Sequence, residues 1–339
     1  MTNDEINITD FKQLEGISPQ TIRVLKGHYS SILELALSLP DDVKVKTHIS
    51  PELSLEAVNA ANDFLSKHDL IKSMMRNGLE DLERREQIFR ISTGSSDLDE
   101  LLNGGIESKA ITEFFAPNGL GKTQLCLSVG IQAAIPKEQG GLDSNVIYID
   151  TEGAYRPNRV KQICLARGYD PNDVLKKFTI LTANYKANLL YIINELPKLV
   201  EEKKAKLIIL DSIIALFRAE YGGRGELATR MQTIGSIMHK LSRITDIHDV
   251  AVLITNQMQD NVDGFSKIKK VPCGGNTLGH ASTYRIELKK GEKGLRKAKI
   301  YKSPESDNEE VEFKITDKGI VDAVKKKEST ETIEEESDD

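Results

Sequence analysis

Two regimes of hydrophobic patterning divide the chain. Before residue 66, apolar positions recur at helical spacing in ITDFKQLEG, SPQTIRVLKGH, YSSILELALSL and LSLEAVNAANDFL, with Gly, Pro or Ser between them. This predicts a small all-α domain over 1–66. From residue 111, short β-branched runs alternate with helical stretches: ITEFF, NVIYID, FTILT, KLIILD and VAVLITN. That alternation predicts an α/β core with a mainly parallel sheet and right-handed crossovers. YRIELKK, KAKIYKS and VEFKIT follow one another closely and predict C-terminal antiparallel strands. The segment between the regimes is strongly charged and predicts a linker plus a helix, with DLERREQ on its solvated face. The expected organisation is a helical domain 1–66, a linker 67–90, a core 91–325 and a tail 326–339.

Composition narrows the class. With 39% hydrophobic and 29% charged residues, the chain reads as a globular protein, and no apolar run approaches the roughly 18–20 residues of a membrane span. The opening MTNDEINITDFKQ has neither a basic nor an apolar signal region, so a cytoplasmic protein is expected. Cys126, Cys164 and Cys273 are far apart and suggest neither a disulfide framework nor a metal site. The net charge of −6 is concentrated at one end, because ESTETIEEESDD carries seven acids and no bases. The remainder holds 45 acids against 46 bases, so the net charge does not exclude nucleic acid. Such a tail is expected to be disordered and solubilising.

The chemistry centres on residues 116–123, APNGLGKT, which fit G-x-x-x-x-G-K-[ST] except that Ala116 replaces the first glycine. The loop follows a strand and opens a helix, so free amides and partial positive charge can wrap a phosphate. Lys122 is expected on the β- and γ-phosphates, Thr123 on Mg²⁺, and Gly119 and Gly121 allow close backbone approach. ATP contacts are expected along Ala116, Pro117, Asn118, Gly119, Leu120, Gly121, Lys122, Thr123 and Gln124. Ala116 stands at the loop's entry, near strand geometry, where a methyl is tolerated. LIILDS ends a strand in Asp211, placing a second candidate Mg²⁺ ligand at the sheet's C-terminal edge. VIYIDTEG ends in Asp150 and Glu152, two apart; one of them is expected to polarise the attacking water.

Taken together with ISTGSSDLDELLNGGIESKAITEFF, YIDTEGAYRPNRV, FRAEYGGRGELATRMQ, ITNQMQ and CGGNTLGHASTYRI, these motifs resemble the RecA-superfamily recombinases, in particular the RadA group of archaea and its eukaryotic counterparts. The resemblance covers about Ile88 to Val324. It implies a RecA-type P-loop NTPase core and an ATP- and Mg²⁺-dependent recombinase that forms a filament or ring on single-stranded DNA and exchanges strands with duplex. It also implies recombinational repair, mediator proteins as partners, and a nucleoid-associated cytoplasmic location. The alternative is a recombinase paralogue acting as a mediator with weak ATPase activity.

The resemblance assigns roles to individual residues. Glu152 corresponds to the glutamate that activates water, Arg159 to an arginine stacking on adenine, and Gln257 to a glutamine sensing the γ-phosphate. His280 approaches the γ-phosphate of a neighbouring protomer. DNA is expected on two loops: 217–232 with Arg218, Arg224 and Arg230, and about 258–279 with Lys267, Lys269, Lys270, Gly274 and Gly275. Long cations on a Gly-rich loop suit phosphate tracking without base readout. A Phe-x-x-Ala polymerisation segment of the family is replaced here by Met75-Arg76-Asn77-Gly78. In most relatives an aspartate near KIY-x-SP caps the neighbour's ATP and holds a monovalent cation; KIYKSP puts Lys302 there and keeps Pro304. Residues 14–25, LEGISPQTIRVL, resemble a helix-hairpin-helix with Ser18 in place of the second glycine.

Overall fold

The computed structural model of the chain describes residues 9–67, 77–220, 227–260, 270–305 and 309–323. The chain separates into two compact units, Met1–Gln87 and Ile88–Asp339.

The described part of the first unit is helical: a 3₁₀ turn Phe11–Gln13, α1 Pro19–His28, α2 Ile32–Ala36, α3 Pro40–Thr47, α4 Pro51–Lys67 and α5 Gly78–Glu86. Side chains start these helices. Ser18 Oγ accepts the Thr21 N–H and Ser31 Oγ accepts the Glu34 N–H, each at 3.1 Å, satisfying donors that the first turn leaves open. Asn77 and Glu80 close a reciprocal capping box on α5. Phe11, Leu25, Ile32, Leu35, Val43, Ala57, Ala61 and Phe64 form the core. Helix α3 is absent from the sequence reading. It buries only Val43 and Thr47, too few to show a period; Pro40 at its start, acids in its first turn and lysines in its last favour it instead. Helix α5 buries no side chain, in keeping with its charged sequence. The turn before α1 is made at Gly16, whose φ of +80° favours glycine.

The second unit carries β1 Arg90–Ile91, α6 Ser96–Leu101, β2 Ile106–Glu107, β3 Ile111–Ala116, α7 Lys122–Ala134, β4 Asn145–Asp150, α8 Pro157–Arg167, α9 Pro171–Lys176, β5 Phe178–Thr182 and α10 Lys186–Lys203. It continues with β6 Ala205–Asp211, α11 Ala215–Glu220, α12 Leu227–His248, β7 Ala251–Asp260, β8 Lys270–Pro272, α13 Gly275–Ala281, β9 Tyr284–Lys290, β10 Arg296–Lys302, β11 Glu310–Thr316 and β12 Gly319–Asp322. Among the described residues the main sheet runs β12-β11-β10-β9-β3-β7-β6-β4-β5, with β8 paired to the far end of β7. Strands β9, β3, β7, β6, β4 and β5 are parallel, while β9 to β12 pair antiparallel. The fold is thus α/β with a central, largely parallel sheet.

The central strands are mostly apolar because both faces are covered, with Thr112, Glu113, Thr255 and Asn256 as buried polar exceptions. In β4, Val146 and Tyr148 enter one core while Ile147 and Ile149 enter the other. Each such side chain contributes about 1.5–3 kcal/mol of burial. Short β1, β2, β8 and β12 carry too few residues to show alternation, so the sequence reading omits them.

A buried ion pair ties β3 to the neighbouring elements. Arg285 Nε donates to Glu113 Oε2 at 2.6 Å, and Asn256 and Ser282 also donate to that carboxylate. At the sheet's edge Asp322 accepts from the Ser95 and Ser96 hydroxyls and from the Asp97 N–H, fastening β12 to the start of α6.

Candidate functional site

Parallel strands bring their C-terminal ends to one edge, and register aligns the motifs there. Ala116 lies opposite Gln257, and Asp150 opposite Asp211. Ala116 is the fully buried last residue of β3, so the first loop position lies in a strand and demands no glycine. Gly119 and Gly121 do make the turn, at φ of +79° and +98°, and a Cβ on Gly121 would meet Ile315 at 2.3 Å. Helix α7 then starts with no side-chain cap, leaving its first amides to a ligand. Lys122 Nζ donates to the Ala116 and Pro117 carbonyls at 3.0 and 3.1 Å, bracing the loop. Burial lowers its affinity for a proton, while Glu152 and Asp211 pull the other way.

The two candidate metal ligands meet. Thr123 Oγ1 donates to Asp211 Oδ2 at 2.7 Å, Tyr148 OH donates to the same oxygen at 2.8 Å, and Thr255 donates to Oδ1. Burial raises the Asp211 carboxyl above the ordinary range, and the three hydroxyls oppose that shift. Burial likewise pushes the Tyr148 phenol up.

The structure separates Asp150 from Glu152. The strand ends at Asp150 and the chain turns, so the two carboxylates do not continue on one strand face. Buried Asp150 accepts the N–H groups of Glu152, Ala154 and Tyr155 at 3.0–3.2 Å and holds that turn. Exposed Glu152 accepts from Ser212 Oγ at 2.6 Å and Gln257 Nε2 at 2.8 Å. Ser212 was missed by sequence reasoning, as were Tyr148, Thr151 and Thr255. Ser212 N–H donates to Thr151 Oγ1 at 2.8 Å, and that hydroxyl returns a bond to Ser212 O at 2.7 Å. Only the Asp-Ser and Asp-Thr pairs at the two strand ends hint at it.

Arg159 lies against the first turn of α7. Its Nε donates to Gln124 Oε1 at 2.7 Å, and its other nitrogens to Gln162 and to the Thr316 carbonyl. A cleft of about 510 Å³ next to the loop is lined by Pro117, Asn118, Arg218, Gln257 and Lys270, with Asp260 also on its wall. The guanidiniums of Arg218 and Arg230 both act on the Cys273 thiol, which burial nevertheless raises. Arg218 NH1 also donates to Gln257 Oε1 at 2.6 Å, so the start of the first cationic loop meets β7 where it leads into the second. Arg224, Lys267, Lys269, Met75 and the acidic tail lie outside the described residues. Gly78 is the first residue of α5. Gly274, at φ +84°, starts α13, where a Cβ would strike Leu278 at 2.3 Å; its neighbour Gly275 sits at φ +49°.

Lys302 is not brought to the loop of its own chain. Lys302 pairs with Arg285 and Arg285 with Glu113, three residues before Ala116. That is about 10 Å back along the strands and about 10 Å across them. Lys302 Nζ donates to the carbonyls of Gly279, His280 and Ser282 at 2.9, 3.3 and 2.7 Å, capping the end of α13. Burial and then the Arg285 charge lower its ammonium below the usual value. His280 and Pro304 are exposed.

A glycine-turned loop between strand and helix, in line with two acidic strand ends on a largely parallel sheet, is consistent with a RecA-type core. The Rad51 family model matches residues 84–323, and the chain belongs to the Rad51 family. It is 40% identical over 314 residues to the DNA repair and recombination protein RadA of Cenarchaeum symbiosum (strain A), covering 92% of this chain and 79% of that one. No helix among the described residues is long and apolar enough to cross a membrane.

Proposed function

We propose that this chain is an ATP-dependent DNA recombinase that assembles into a filament on single-stranded DNA and pairs it with homologous duplex in recombinational repair. The observation that carries the proposal is the meeting of Thr123, Asp211, Glu152 and Gln257 at one sheet edge, beside a cleft that Arg218 and Lys270 also line. Family membership and the likeness to RadA supply the prior.

The α7 amides and Lys122 bind and orient the terminal phosphates of ATP, and Arg159 borders the base. Thr123 hydroxyl and Asp211 carboxylate form an all-oxygen donor pair that fits a hard divalent cation. Mg²⁺, when bound there, neutralises phosphate charge during transfer. Glu152, fixed by Ser212, accepts a proton from the attacking water. Gln257 reports the phosphate to β7 and onward to the second cationic loop. Arg218, Arg224, Arg230 and Lys267, Lys269 and Lys270 hold DNA phosphates, with Gly274 and Gly275 at the loop's exit. His280, Lys302 and Pro304 serve the nucleotide of an adjacent protomer, in keeping with the register that holds Lys302 back from its own loop. Met75 and Gly78 belong to the segment that joins protomers, and residues 1–66 are a small helix-hairpin-helix-like domain. The test is ATP turnover with and without single-stranded DNA. Stimulation by DNA supports the reading; a rate indifferent to DNA argues for a mediator.

A further inference from the structure

Three hydrogen bonds connect the cationic face to the mouth of the phosphate site. Arg218 NH1 donates to Gln257 Oε1 at 2.6 Å. Gln257 Nε2 donates to Glu152 Oε1 at 2.8 Å, and Ser212 Oγ donates to that same oxygen at 2.6 Å. A cation on the amide oxygen polarises the amide, so its N–H becomes a stronger donor to the carboxylate. The Gln257 side chain is thereby committed at both ends. It is turned toward Glu152, and the N–H given to that carboxylate is not available to a phosphate.

The two anchors of this chain differ in kind. Ser212 is fully buried and locked to Thr151 by two further bonds, so the fold fixes its grip on Glu152. Arg218 is exposed at the start of the first cationic loop, so its bond is the one a competing anion can take. A guanidinium binds a phosphate through charge-assisted, bidentate bonds that a neutral amide oxygen cannot match.

We propose that Arg218 is a positioning residue acting as a DNA-released latch: without DNA its guanidinium holds Gln257 against Glu152, and a DNA phosphate that claims the guanidinium frees both for ATP turnover. The proposal rests on the recombinase reading. It makes slow turnover without DNA a consequence of one surface cation, separate from DNA affinity.

The experiment is steady-state ATP turnover by the full chain, with and without an oligothymidylate, for the unaltered protein, Arg218→Gln and Arg218→Lys. Arg218→Gln is expected to raise the DNA-free kcat about three- to tenfold, the range for losing one charged hydrogen bond at an exposed site, with little change in KM for ATP. Arg218→Lys restores a cation and brings that rate back down. A residue that only contacts DNA would raise the oligonucleotide concentration needed and leave the DNA-free rate alone. That result, or a fall in the DNA-free rate, overturns the latch by itself. No ATP turnover by the unaltered protein under any condition removes the ATPase reading and the latch together.

Discussion

The Thr123 hydroxyl donates to Asp211 Oδ2 at 2.7 Å, joining residues 88 positions apart across the ends of α7 and β6. This bond sets the proposed cation position beside the loop 116–123, and Glu152 follows the turn after the neighbouring strand β4. The proposed function therefore assigns binding and hydrolysis to different side chains of one edge.

Lys122→Ala is expected to abolish ATP binding, whereas Glu152→Gln preserves binding and stops turnover. On the proposed roles, the first removes a cation from the phosphates and the second a base from the water. Nucleotide affinity by calorimetry and release of phosphate measure the two separately. Equal loss of affinity in both variants contradicts the assignment.

Arg224→Ala and Arg230→Ala should each weaken single-stranded DNA binding across all sequences and lower its salt slope by about one charge. Fluorescence anisotropy over a salt series measures both quantities. An unchanged affinity and slope would mark this loop as an ordinary solvated face.

Lys302 caps three carbonyls at the end of the helix that carries His280, so one tethered ammonium holds that end in place. ATPase and strand-exchange activity should therefore depend little on potassium, and Lys302→Asp should introduce the dependence. The titration replaces K⁺ by an inert cation at constant ionic strength. Strong potassium activation of the unaltered protein rules this out.

Asp322 holds β12 to α6, and its loss should cost about 1–2 kcal/mol as an N-terminal cap. Burial raises its carboxyl, but the Ser95 and Ser96 hydroxyls and the Asp97 N–H outweigh burial and leave it below 3.8. A depressed carboxyl contributes stability above its unfolded value that is lost as pH falls through the folded one. Asp322→Ala should thus lower the melting temperature at neutral pH, and the difference should shrink below the ordinary carboxyl value of 3.8. A difference that stays constant into acid contradicts the charge argument.

The strand, turn and helix around residues 116–123 were legible because their parts are contiguous, and the central strands because burial on both faces makes them mostly apolar. The choice between Asp150 and Glu152 was not legible from their spacing, since the chain turns directly after Asp150 and spends that carboxylate on three amides. The link from Arg218 through Gln257 to Glu152 joins residues 39 and 105 positions apart, and only the parallel register brings them together. Helix α3 escaped notice because capping and end charges, not an apolar stripe, mark it.

The most direct measurement is joint-molecule formation between circular single-stranded DNA and homologous linear duplex, with Mg²⁺ and either ATP or a non-hydrolysable analogue. Homology-dependent pairing is expected with both nucleotides and none without nucleotide. An unaltered protein that binds ATP and DNA yet forms no joint molecules would contradict the recombinase reading.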